Sequence, residues 1–143
     1  MNRAKKSFLR LKHYIFSNTL HGTHSPFVYD FLENTVYQTN SKDMDKFDQL
    51  ISRIIASREP SKVILFENSI IEEELIQKYY QLKSNTDEQS IFVFTDIRKS
   101  EIRFKAWETI IADETNKISI DLFEIGILFF EQKKPKEHFT IYY

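Results

Sequence analysis

Ala4, Phe8, Leu11 and Ile15 recur at helical spacing, with Leu9 and Phe16 widening the stripe, so residues 3–17 read as an amphipathic helix buried on that stripe with its basic residues on the other face. Ser25 followed by Pro26 supplies an N-cap and a proline at the first helical position, where a missing N–H costs nothing. A second helix is expected from there to about Tyr37, buried through Phe27 with Phe31 and Val28 with Leu32 and Val36. The polar residues 38–42 read as a loop. Met44, Phe47, Leu50, Ile51, Ile54 and Ile55 then predict a third helix, ended before Pro60 because proline disfavours helical geometry in the residue ahead of it.

Beyond Pro60 the period changes. Val63 to Phe66 is a short, continuously apolar run, as a buried strand requires, and Ile71, Leu75, Ile76, Tyr79 and Leu82 give a helix behind it with those side chains inward. Ile91 to Phe94 is a second such strand. It leads through Asp96 into a helix carrying Ile102, Phe104, Ala106, Trp107, Ile110 and Ile111. Strand, helix, strand, helix implies parallel pairing, with a right-handed crossover. Ile118, Ile120 and Leu122 alternate with Ser119, Asp121 and Phe123, and Ile127 to Phe130 follow Gly126, which predicts an antiparallel hairpin. Residues 139–143 alternate again and read as an edge strand. The expectation is one α/β domain, with a helical cap over 1–58 and a mixed sheet of four or five strands in 59–143.

Composition narrows the function. The length of 143 residues suits one hydrophobic core. The longest apolar run, six residues at 125–130, is far short of the roughly 18 that span a bilayer, and no secretory block forms near Lys12 and His13, so a cytoplasmic location is expected. With no cysteine there are no disulfides or thiolate sites. The chain has only Gly22 and Gly126, where average usage would give about ten, so it has no glycine loop of the kind that lets backbone N–H groups approach a phosphate or dinucleotide. Arg3, Lys5, Lys6, Arg10 and Lys12 all precede the first acid, Asp30, so a chain of net charge −1 carries −6 beyond them. The basic arm reads as a solvated face or a patch docking on the acidic body, in preference to a nucleic-acid or membrane contact.

Three stretches resemble a bacterial subgroup of the class I S-adenosylmethionine-dependent methyltransferases, some of them O-methyltransferases. His21-Gly22-Thr23-His24-Ser25-Pro26-Phe27-Val28-Tyr29 is similar to the HGxHSPFxY that joins the family's first two helices. Residues 50–69, with Arg53, Pro60 and Ser69, resemble the helix and strand that lead into its cofactor loop. Residues 73–143 resemble its C-terminal part through Ser90 to Phe94, Trp107, Ile120 to Phe123 and Glu137 to Ile141. The resemblance implies a partial Rossmann-like methyltransferase fold, in which the last strand inserts between two others against the parallel direction.

It also implies losses. The second and third stretches abut where the family has further strands, including the one whose terminal acid binds the cofactor's ribose hydroxyls. The family's Glu-x-Gly-Thr-Ser reads Leu65-Phe66-Glu67-Asn68-Ser69 here, which puts a bulky carboxylate where backbone must meet the cofactor's own carboxylate. Asp96 alone survives from the family's Asp-Asp-Ile-His-Trp, since this chain reads Thr95-Asp96-Ile97-Arg98-Lys99. It is the one candidate catalytic residue, a general base, against the plainer role of capping the next helix. His21 and His24 lack the convergent partners a metal needs, so no metal site and no cofactor site are expected, and Trp107 reads as core.

The leading expectation is therefore a degenerate, non-catalytic methyltransferase-like protein, a binding subunit or remnant. One alternative is a methyltransferase that binds S-adenosylmethionine only when a partner chain completes the site, and another is a binding module using the basic helix. A protein partner is expected along a sheet edge uncovered by the missing strands.

Overall fold

The computed structural model describes residues 1–18, 23–38 and 42–143. In chain order it has α1 (Arg3–Phe16), α2 (Pro26–Phe31), a π-helical turn (Leu32–Val36), α3 (Lys46–Arg58), β1 (Val63–Phe66), a 3-10 turn (Glu72–Glu74), α4 (Leu75–Lys83), β2 (Ile91–Phe94), α5 (Glu101–Ala112), β3 (Ile118–Asp121), β4 (Gly126–Phe129) and β5 (Glu137–Thr140). The five strands form one mixed sheet in the order β1-β2-β4-β3-β5. β1 pairs parallel with β2, β3 pairs parallel with β5, and β4 runs antiparallel between β2 and β3.

Alternation along the strands gives the sheet two apolar faces. Ile91, Val93, Ile118, Ile120, Ile127 and Phe129 point to one face and pack on Val28, Phe31, Leu32, Leu50 and Ile54 of the N-terminal helices. Phe66, Phe92, Phe94 and Leu128 point to the other and meet Leu75, Tyr79, Ala106, Trp107 and Ile110 of α4 and α5. β2 and β4 are buried on both sides, which explains why they read as unbroken apolar runs, whereas the equally buried β3 carries Ser119 and Asp121 on one face. No helix among the described residues is long and apolar enough to cross a membrane.

Five expectations need correction. The second helix is α-helical only to Phe31 and finishes as a π-helical turn, closed by Tyr37 N–H donating to the Leu32 carbonyl at 2.8 Å. β1 lies at an edge of the sheet, so Val63, Ile64 and Leu65 are half-buried, and Ile71 precedes α4 on the surface instead of packing inward. Ser100, not Asp96, caps α5, its Oγ accepting from Arg103 N–H at 3.0 Å.

The largest correction is α1. Its one buried residue is His13, while Phe8, Leu11 and Ile15 are 66%, 56% and 61% exposed and Ala4 is exposed with them. The helix docks through its polar side: Lys5 Nζ lies 2.6 Å from Glu101, and Lys6 and Arg10 lie 3.0 and 3.1 Å from Glu124. His13 Nε2 is 2.8 Å from the Ile141 carbonyl. The docked face is the one that carries these ion pairs and the His13 contact, and the apolar stripe is left outward. Of the expected loop at 38–42, residues 39–41 lie outside the described residues.

Candidate functional site

Every parallel strand ends on the same side of the sheet, where crevices in α/β folds gather ligands. Glu67 and Asn68 follow β1, Thr95 and Asp96 follow β2, and Glu124 and Ile125 lie in the turn after β3; with Asp45 and Phe47 at the start of α3 they line a cleft of about 460 Å³. Asp45 is fixed there as the N-cap of α3, its carboxylate accepting from Phe47 N–H at 2.8 Å. Asp96 sits in the left-handed region at φ 50°, and its Oδ2 accepts from Asn68 Nδ2 at 2.9 Å. Four carboxylates thus line the cleft, and no cationic side chain does.

Beneath the rim, Arg103 ties the ends of β1 and β2 together. It is fully buried, with Nη2 donating to the carbonyls of Phe66, Glu67 and Thr95 at 2.9–3.0 Å and Nε donating to Thr95 at 3.1 Å. Burial pulls its pKa below the ordinary arginine value, opposed by the nearby Asp96 and Glu72 charges. These bonds fix the bend at residues 66–70, the place where the resemblance puts the cofactor loop.

A second cleft of about 350 Å³ adjoins the first, sharing Asp45, Phe47, Glu124 and Ile125 and adding Arg10, His13, Lys46, Phe123, Tyr142 and Tyr143. Lys46 Nζ stands 3.7 Å from the centre of the Tyr143 ring, and burial, with repulsion from Arg10 and Arg53, lowers its pKa. Phe123 forms part of the wall at φ 72°, an unusual backbone for a bulky residue. Its N–H donates to Asp121 at 2.8 Å and its carbonyl accepts from Arg98 at 2.6 Å, which holds it there.

No family model, curated protein or solved structure matches this chain. Asp96 does stand in the crevice, beside Glu67, as the sequence placed it. His21 lies outside the described residues and His24 is exposed; among the described residues no group of three or more His, Cys, Asp or Glu is set to hold a metal. Trp107 is buried against Phe94, as core.

Sequence reasoning missed Arg103, which sits between Ile102 and Phe104 and carries no visible signal, and the buried pair Arg98 and Asp121. It also missed Ser119 and His138, which face each other across β3 and β5 with Oγ 2.7 Å from Nδ1. Burial lowers the His138 pKa below the ordinary histidine value, against the pull of the Asp121 charge.

The residues at the bend present carbonyls to Arg103 and carboxylates to the cleft.

Proposed function

We propose that this chain is a degenerate, non-catalytic relative of the class I S-adenosylmethionine-dependent methyltransferases that acts by binding. The observation that carries the reading is the bend after β1: it has no glycine, it bears Glu67 and Asn68 opposite Asp96, and Arg103 has taken its carbonyls. The reversed strand β4 between β2 and β3 supports the resemblance to a partial Rossmann-like methyltransferase fold, and the carboxylate lining supports the loss of the cofactor.

Calorimetric titration of the whole chain with S-adenosylmethionine tests this. The expected result is no saturable isotherm up to about 1 mM ligand, where binding is worth only about 4 kcal/mol. A saturable isotherm would overturn the reading.

The edge of β1, unpaired among the described residues, favours a second reading, in which a partner chain adds the missing strands and Asp96 becomes a general base in the completed site. That reading requires the same titration to turn saturable once the partner is bound.

A further inference from the structure

We propose that the outward face of α1 is a docking surface for an anionic lipid bilayer, with Phe8, Leu11 and Ile15 entering the boundary between headgroups and acyl chains while Arg3 and Lys12 meet lipid phosphates. The face exists because the helix is mounted backwards. Its polar side is spent on Glu101, Glu124 and the Ile141 carbonyl, so the apolar stripe points away from the body. The three large side chains are each more than half exposed and belong to neither core cluster. At 1.5 Å per residue they run along a helix about 21 Å long, an element that can lie flat in an interface.

Charge decides the occupant. α1 carries no acid, and of its basic residues Lys5, Lys6 and Arg10 are paired with the body, while Arg3 and Lys12 have no ion pair with a described residue. Arg3 lies at one end of the stripe and Lys12 one turn beyond Phe8. Tyr14 and Tyr142, more than half exposed and edge-to-face at 5.0 Å, stand beside it, and tyrosine favours the membrane–water interface. A second copy of the chain would bring these cations against themselves. Nucleic acid would meet apolar side chains where phosphates need cations.

Flotation of the full chain with phosphatidylcholine vesicles, and with vesicles that also contain phosphatidylglycerol, tests the assignment. Partitioning onto the anionic vesicles is expected to exceed that onto the neutral ones by roughly tenfold, and to fall as salt is raised. Leu11→Glu should abolish the binding and Lys12→Glu should weaken it roughly fivefold, both with the wild-type melting curve. Should Leu11→Glu melt early, Phe8→Ser serves in its place. Equal partitioning onto both kinds of vesicle, or full binding by both apolar variants, would overturn the proposal. So would a dimer in sedimentation that Leu11→Glu dissolves without any vesicle binding, or oligonucleotide binding that depends on Lys12 and ignores Leu11.

Discussion

Arg98 grips Asp121 through two parallel hydrogen bonds, Nη1 to Oδ1 at 2.8 Å and Nη2 to Oδ2 at 2.7 Å, with both side chains buried. The guanidinium also lies 4.6 and 4.7 Å from the ring centres of Phe104 and Phe123. One pair therefore joins the segment after β2 to the end of β3. Burial alone would raise the Asp121 pKa, but the hydrogen bonds and charge of Arg98 outweigh it and hold the carboxyl below its ordinary value. A depressed acid adds stability that is present above the unfolded value of about 3.9 and is lost as pH falls through the folded one.

Asp121→Asn should thus cost about 3–5 kcal/mol near neutral pH, because it leaves Arg98 buried without a counter-charge. It should also make the acid-side fall of stability shallower than in the wild type. Urea unfolding from neutral pH to below pH 4 measures both, and an unchanged acid slope would count against the pair.

Gly126 has a packing reason that its place in a predicted strand did not disclose. A Cβ there would lie 2.6–2.9 Å from three carbons of the Trp107 ring. Gly126→Ala is expected to cost about 1–3 kcal/mol by overpacking. In a Trp107→Leu background the same substitution should cost clearly less, and thermal unfolding of the four proteins in the cycle reads the coupling. Additive losses would show that the ring yields without strain.

How far the sequence could be read follows from which forces act locally. β2 was legible because a strand buried on both faces forces an unbroken apolar run, as in Ile91 to Phe94, and the β3–β4 hairpin because Ile118 and Ile120 alternate with Ser119 and Asp121 ahead of the apolar run after Gly126. The edge position of β1 was not, since Val63 to Phe66 has the same composition whether one neighbour or two flank it. Periodicity showed that α1 has an apolar and a basic side, yet not which one docks; that depends on Glu101 and Glu124, about a hundred residues away in sequence. Asp96 was placed correctly in the crevice. Its expected capping role went to Ser100, whose position directly before Glu101 is itself an N-cap signal. Arg103 could not be foreseen, because what it binds is the arrangement of carbonyls where two strands end.

That arrangement makes Arg103 a test of the bend. Arg103→Met keeps most of the apolar stem but removes the guanidinium from the Phe66, Glu67 and Thr95 carbonyls, leaving Phe66 with only Thr95 N–H and Glu67 with only Ile70 N–H. The cost should be about 2–3 kcal/mol, and the loss should be local as well as global. Amide exchange at residues 67–70, where Ile70 N–H now donates to the Glu67 carbonyl at 3.2 Å, should quicken more than exchange in β4. Uniform acceleration across the sheet would mean that Arg103 holds the core and not the bend.

Glu59 offers the opposite sign. It ends α3 in the left-handed region at φ 45°, with its N–H donating to the Ile55 carbonyl at 3.1 Å. A residue with a Cβ is strained there, whereas glycine is not, and glycine is the commonest residue at this position past a helix end. Glu59→Gly also gives the unfolded chain more freedom, which offsets part of the gain. The balance should still favour the variant by about 0.5–1 kcal/mol, because relief of left-handed strain is worth roughly 1–2 kcal/mol. Denaturant midpoints of the two proteins at equal m-value decide it: a lower midpoint for Glu59→Gly would mean that the glutamate side chain contributes more at this helix end than its backbone costs.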